Sequence, residues 1–180
     1  MPSDAERHYW QTRPRERPTH IVTPGLEQES VWDYPRPPRL EHVTGTVRVE
    51  FTGRTVARSD AALRVCETAG PATYYLPPDD VERQWLEPAP QRSFCEWKGD
   101  AHYWHLRVGE RYAANAAWSY PEPDPAYAAL RHHLAFFAGR VDACFVGDAR
   151  VVPQPGGFYG GWITPELVGP FKGEPGSEGW

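Results

Sequence analysis

Long apolar runs are missing from this sequence. No stretch approaches the roughly 18 apolar residues that a membrane-spanning helix needs. The opening residues MPSDAERHYW also lack the apolar segment of a secretory signal. We therefore expect a soluble, cytoplasmic protein with no membrane partner.

Cysteine and net positive charge are also scarce. The three cysteines, Cys66, Cys95 and Cys144, are widely separated and never form a C-x-x-C pair, so we expect free thiols rather than disulfides or a four-cysteine zinc site. The formal net charge of −5 disfavours general nucleic-acid binding, because the phosphate backbone is held chiefly by lysine and arginine.

The usual sequence motifs for metals and phosphates are absent. Neither the pair His102 and His105 nor the adjacent pair His132 and His133 has the spacing of a known zinc motif. The glycines of residues 156–161 fit neither a P-loop nor a dinucleotide-binding motif. We therefore predict no metal site and no cofactor.

Proline and glycine, by contrast, are abundant. Twenty prolines and sixteen glycines among 180 residues predict many turns and few long helices. A chain of this length is long enough for one domain with its own hydrophobic core. Its eight tryptophans and nine tyrosines belong to a class of side chain that often lies where an apolar surface meets water.

Alternating apolar and polar residues predict antiparallel strands. The alternation is clearest in residues 47–51, and Thr52-Gly53 then turns the chain into a second strand over 54–58. Similar strand and turn patterns follow over 62–76, 93–117 and 142–152. The fold class predicted is mainly β (α+β), a compact antiparallel domain.

One amphipathic helix is predicted after Asp124-Pro125, a capping residue followed by proline at the first helical position. Its buried stripe has spacings of three and four and consists of Tyr127, Leu130, Leu134, Phe137 and Val141.

The predicted domain organisation has three parts. A proline-rich N-terminal arm over 1–40 packs on a β domain over 41–152, and a Gly/Pro-rich C-terminal arm over 153–180 packs back onto it. The N-terminal arm is expected to be extended, because it has no clear periodicity.

The densest polar cluster is a candidate catalytic site. Cys95, Lys98 and Asp100 place a thiol, an amine and a carboxylate within six residues around the turn at Gly99. Cys95 would act as a nucleophile with its thiolate stabilised by Lys98, and Asp100 would act as a base or an orienting group. The alternative is an inward core thiol beside two ordinary turn charges.

Two further clusters are candidate binding surfaces. Trp118 and Tyr120 would wall a pocket, while Glu67 beside Tyr75 would hold a cationic or planar ligand through charge and cation–π attraction. Glu67 equally fits an ion pair at a sheet edge, with Arg64 or Lys98. The predicted ligand-binding residues are Glu67, Tyr75, Tyr103, Trp118 and Tyr120.

These motifs resemble a known family. Residues 47–57, Glu67 with 73–77, 95–104 and 115–121 resemble the bacterial family called domain of unknown function 427 (DUF427). The resemblance covers roughly residues 43–140, and the flanks 29–35 and 169–173 resemble those of longer actinobacterial-type members.

The resemblance implies a compact β-tent-like or barrel-like domain. Several β-tent domains bind zinc through paired C-x-x-C motifs, which are absent here, so a metal-free domain is expected. Some classifications give the family a nucleotidyltransferase-like label, but no paired-carboxylate metal site or phosphate loop is legible in this sequence.

Three functions therefore stay open. The first is a pocket that binds a small molecule, with or without catalysis. The second is a non-enzymatic recognition or adaptor module, in which the arms mediate partner binding or a homodimer. Nucleotidyl transfer is the third.

Overall fold

The computed structural model describes residues 3–180, which contain one α-helix, α1 (Asp4–Thr12), and otherwise short strands and 3-10 turns. The strands in chain order are β1 (Glu29–Ser30), β2 (Arg39–His42), β3 (Val47–Phe51), β4 (Arg54–Ser59), β5 (Leu63–Cys66), β6 (Thr73–Tyr75), β7 (Leu86–Cys95), β8 (Gly99–Val108), β9 (Arg111–Ser119), β10 (Leu134–Phe136), β11 (Ala143–Val146), β12 (Ala149–Arg150), β13 (Val152–Pro153), β14 (Trp162–Ile163) and β15 (Leu167–Val168). The 3-10 helices are Val31–Asp33, Pro78–Asp80, Arg83–Trp85, Pro125–Leu130 and Ala138–Arg140.

Three antiparallel sheets form the body of the molecule. Their strand orders are β10-β9-β8-β7, β12-β11-β3-β4 and β2-β5-β6. The hairpin β3–β4 turns at Thr52 and Gly53, which both have positive φ (55° and 65°), as the commonest two-residue hairpin turn requires. The predicted mainly β fold is confirmed.

The predicted helix after Asp124 is wrong. The segment forms a short 3-10 helix over Pro125–Leu130, then strand β10, then a second 3-10 turn. Residues of β10 are fully buried and pair with β9, with Leu134 opposite Ser119. An apolar run of this length suits a buried strand as well as a helix, and pairing with a distant strand decides between them.

The N-terminal arm contains the helix that the sequence analysis did not predict. The Ser3 hydroxyl accepts a hydrogen bond from the Glu6 amide, and the Glu6 carboxylate accepts one from the Ser3 amide at 2.8 Å. This reciprocal capping box starts α1. The expectation of a fully extended arm was therefore wrong.

The hydrophobic core takes residues from the C-terminal arm as well as from the sheets. Trp162 is fully buried, stacks on Tyr74 at 5.1 Å between ring centroids, and donates a hydrogen bond to the Phe136 carbonyl at 2.8 Å. Trp180 packs edge-on against Trp32. Within the described part of the chain, no helix is long and apolar enough to cross a membrane.

Candidate functional site

A cavity of about 540 Å³, here called the central cavity, lies where strands β5 to β9 meet both terminal arms. The β7–β8 turn and the face of β8 and β9 form one side of it. The N-terminal arm, including α1, and the C-terminal arm form much of the rest.

Seven of the eight residues selected from the sequence line this cavity. They come from separate strands and turns, and the structure brings them together on one surface. These residues are Glu67, Tyr75, Cys95, Lys98, Tyr103, Trp118 and Tyr120.

Asp100 is the selected residue that the structure does not bring to the cavity. Successive side chains of a strand point to opposite faces, and Ala101 and Tyr103 of β8 are the ones that line the cavity. Asp100 instead contributes, with Glu122, to the charge around His102 on the other face. Its expected role as a base or orienting group for Cys95 therefore has no geometric basis.

Aromatic rings form a continuous wall of the cavity. The Trp118 and Phe137 ring centroids lie 4.5 Å apart, and Tyr103 stacks on Phe137 at 6.2 Å. Tyr75 lies 6.3 Å from both Trp118 and Tyr120. The wall provides a broad apolar surface that a planar ligand can stack on.

Lys98 supplies a cation inside this aromatic surface. Its side chain is only 7 % exposed, and its Nζ lies 5.8 Å from the Tyr120 ring centroid. Burial opposes the charge on the ammonium, but Cys95, Tyr75 and Glu67 more than offset this effect and raise its pKa. Lys98 is therefore cationic at neutral pH.

Cys95 is the thiol that lines the cavity, and it is partly exposed, whereas Cys66 and Cys144 are buried. Burial raises the pKa of Cys66 to about 11 and raises that of Cys144 further. Cys95 is thus the thiol available to a molecule in the cavity.

Glu67 is already paired within the protein. Its carboxylate lies 3.3 Å from Arg36 Nε and accepts a hydrogen bond from the Trp97 indole at 3.2 Å. Arg36 also lies 3.6 Å from Glu96. The ion pair expected for Glu67 forms with Arg36 of the N-terminal arm rather than with Arg64 or Lys98, and it leaves little free charge for a cationic ligand.

Helix α1 lies over the rim of the cavity and is held there by polar contacts. Arg7 and Gln11 donate hydrogen bonds to the Glu96 carbonyl at 2.9 Å and 2.7 Å. Arg7 also forms an ion pair with Asp124. No residue of α1 between Asp4 and Thr12 is buried, although Trp10 lines the cavity.

The C-terminal arm closes the cavity next to Trp118 of β9. A Cβ atom added at Gly160 would lie 2.1 Å from the Trp118 ring, so only glycine allows the arm to pass this close. Gln154 holds the arm in place, because its side chain accepts from the Gly161 amide and donates to the Lys172 carbonyl at 2.8 Å.

The cavity is also lined by side chains that were not selected from the sequence, among them Arg15, Phe137, Tyr159 and Lys172. Phe137 was placed on the predicted helix that the structure replaces with β10 and a 3-10 turn. The other three residues lie in the terminal arms, which have no periodic pattern. Lys172 lies in the flank 169–173, which resembles that of longer family members. This resemblance was the one sign in the sequence that the segment matters to the site.

Lys172 is a second cation at the cavity. Its Nζ lies 4.8 Å from the Tyr159 ring centroid. Burial and the nearby Arg15 guanidinium lower its pKa to about 8. Among residues 3–180, no three His, Cys, Asp or Glu side chains are grouped so that they would hold a metal ion.

Comparison with known proteins identifies the family. No curated protein matches the chain. The profile described as "Domain of unknown function (DUF427)" matches residues 39–147, more than half of the chain. Within that stretch lie all seven selected residues of the cavity, whereas Arg15, Tyr159 and Lys172 lie outside it. The chain therefore belongs to the DUF427 family.

Proposed function

We propose that this protein binds a small organic molecule in the central cavity. The observation that carries the proposal is the convergence of three separate clusters of polar and aromatic side chains on one cavity of about 540 Å³. This volume falls in the range of about 300–1,000 Å³ that is usual for ligand sites, and an apolar wall with few polar groups is their usual composition.

The wall favours a ligand with a planar or apolar body. Rings packed against Tyr103, Trp118 and Phe137 would gain about 0.5–1.5 kcal/mol for each aromatic pair beyond the effect of area burial. Lys98 and the hydroxyl groups of Tyr75 and Tyr120 are the polar groups that would orient such a ligand.

Catalysis at Cys95 is the second candidate function. The observation that favours it is the position of the Cys95 thiol in the cavity, next to the buried Lys98 ammonium. A cation beside a thiol stabilises the thiolate, which is the nucleophilic form. Cys95→Ser separates the two functions, because binding should survive this change and turnover should not.

A thermal-shift screen tests the proposal. The library contains neutral, cationic and anionic metabolites, together with nucleotides and a divalent cation, so that nucleotidyl transfer is tested too. A ligand that binds only the native state adds about 2.7 kcal/mol at a hundredfold excess over its Kd. We expect at least one compound to raise the unfolding temperature.

Two tyrosine variants locate the binding. Tyr103→Ala removes a wall of the cavity, whereas Tyr112→Ala removes a tyrosine that does not line it and is 45 % exposed. The shift should disappear in Tyr103→Ala and persist in Tyr112→Ala. Absence of any shift, or equal shifts in the two variants, would argue against a ligand site in the cavity.

A further inference from the structure

Both lysines of the chain lie on the central cavity. Nineteen residues are lysine or arginine, but the only lysines are Lys98 and Lys172, and both line the cavity. The other seventeen of these residues are arginines. The ammonium of lysine is a compact, strongly hydrated point charge, so its burial requires a compensating partner more than the burial of a guanidinium does.

The carboxylates near the cavity are already occupied. Glu67 and Glu96 both pair with Arg36, at 3.3 Å and 3.6 Å, and Glu96 also lies 4.0 Å from Arg15. Glu6 accepts hydrogen bonds from the backbone and hydroxyl of Ser3 at 2.8 Å and 3.1 Å.

The two lysines, by contrast, form no ion pair within residues 3–180. The described ion pairs of the site use Arg15 and Arg36 as the cations. Four cations, Arg15, Arg36, Lys98 and Lys172, therefore stand against three carboxylates, Glu6, Glu67 and Glu96, and the charge left over at the cavity is positive.

The excess positive charge matters most at Lys98. More than nine-tenths of its side chain is buried, and its surroundings are the rings of Tyr75 and Tyr120 and the Cys95 thiol, with the Glu67 carboxylate acting from beyond ion-pair distance. A buried charge is unfavourable unless it is paired and hydrogen-bonded. An anionic group of a ligand would supply the missing partner.

We propose that the ligand is an organic carboxylate with an aromatic or apolar body. Its carboxylate binds Lys98, its body packs on the wall of Tyr103, Trp118 and Phe137, and Lys172 adds positive charge from the arm. This inference rests on the proposed function of the cavity as a ligand site.

A carboxylate fits this site better than a phosphate. Lysine can hold a phosphate as a point charge, but phosphate sites usually add an arginine fork or backbone amides at a helix start. The arginines at the cavity are committed to Glu67 and Glu96, and α1 begins at the capping box of Ser3 and Glu6. Lys98 is the one ammonium buried beside the aromatic rings, which matches a singly charged group.

The affinity for the carboxylate should depend on the protonation of Lys172. The groups that act on its charge are Arg15 and Arg36 from the N-terminal arm, Glu67 and Glu96 from the strand side, and the ring of Tyr159. With a pKa near 8, Lys172 is cationic below that pH and neutral above it. Affinity should therefore fall as pH rises through about 8, and Lys172→Met should remove this fall. Working in the Cys95→Ser background keeps the thiol out of the titration.

Calorimetric titration of the full chain tests the inference with matched probes. Benzoate, 3-phenylpropionate and indole-3-acetate are compared with their neutral amides, with benzylamine and with phenyl phosphate. At least one carboxylate should bind more tightly than its amide. Lys98→Met should weaken that carboxylate about tenfold or more, because a hydrogen bond to a charged group contributes about 1.5–3 kcal/mol.

Arg107→Met is the control, because it removes an exposed cation of β8 that pairs with Glu87 and does not line the cavity. It should leave carboxylate affinity unchanged. Should Lys98→Met fail to fold, Lys172→Met and the pH series carry the same test.

Three results would overturn the carboxylate assignment: amides or benzylamine binding as tightly as the carboxylates, phenyl phosphate binding more tightly, or no effect of either lysine change. Neutral ligands that bind in the cavity would then leave the proposed function standing. If no compound of any class binds, here or in the wider screen, both the carboxylate assignment and the proposed ligand-binding function are contradicted.

Discussion

At the scale of single residues, the three thiols differ in what surrounds them. Cys95 is partly exposed in the cavity beside Lys98, while Cys66 and Cys144 are buried in the core. Burial raises the pKa of Cys66 to about 11, and that of Cys144 is raised further. Because the thiolate is the reactive species, these environments should separate the cysteines chemically.

A thiol reagent used near neutral pH should therefore modify Cys95 long before the other two cysteines. Mass spectrometry of peptides, followed over time, measures the three rates. Cys95→Ser should lose the fast reaction, and a ligand in the cavity should slow it in the unchanged protein. Equal rates at Cys66 and Cys95 would contradict the description of the cavity.

The sequence contains the residue types of the site in plain view, but it does not determine the strand face on which each side chain lies. The chain places Asp100 within a few residues of Cys95 and Lys98, which both line the cavity. Because side chains alternate between the two faces of β8, Asp100 lies on the face turned away from the cavity. Arg15 and Lys172 reach the site only through long-range packing of the arms, which leaves no periodic signal in the sequence.

At the scale of elements, α1 is joined to the body by polar contacts rather than by buried apolar area. Arg7 and Gln11 both donate to the Glu96 carbonyl, and Arg36 donates to the Trp10 carbonyl at 2.9 Å. Hydrogen bonds of this kind contribute about 0.5–1.5 kcal/mol each. The helix should therefore separate from the cavity more easily than any core strand.

The double change Arg7→Ala with Gln11→Ala should open the cavity and leave the core folded. We expect faster modification of Cys95 and a loss of at most about 3 kcal/mol in the free energy of unfolding. His8→Ala, on the same helix, should change neither quantity. An unchanged rate at Cys95 in the double variant would show that α1 does not control access.

Local signals explain which elements the sequence could predict. Hairpins β3–β4, β5–β6 and β11–β12 were correct, because alternation and turn residues lie within a few positions of each other. The error at residues 124–141 arose because β10 takes its conformation from pairing with β9. The capping box of Ser3 and Glu6 is a local signal from which α1 could have been predicted.

At the scale of the whole molecule, the arms outside the family match are structural parts of the protein. Trp162 of the C-terminal arm is fully buried against Tyr74, and its indole donates to the Phe136 carbonyl. The same arm carries Tyr159 and Lys172 to the cavity. Folding and the completion of the site are thus coupled through this segment.

Trp162→Ala should consequently destabilise the protein by about 3–5 kcal/mol, the usual effect of removing a buried large aromatic side chain. Trp10→Ala, at a side chain that is 43 % exposed, should cost about 1 kcal/mol or less. Urea unfolding of both variants measures the difference. Similar losses for the two would contradict the placement of the C-terminal arm in the core.

The most direct test of the central claim is an NMR titration that follows the tryptophan indole signals as a ligand from the screen is added. Trp10 and Trp118 line the cavity, whereas Trp32 and Trp85 do not. A ligand in the cavity should shift the signals of the first pair and leave those of the second pair in place. Shifts at Trp32 or Trp85 with none at Trp118 would place the ligand elsewhere and contradict the claim that the cavity is the binding site.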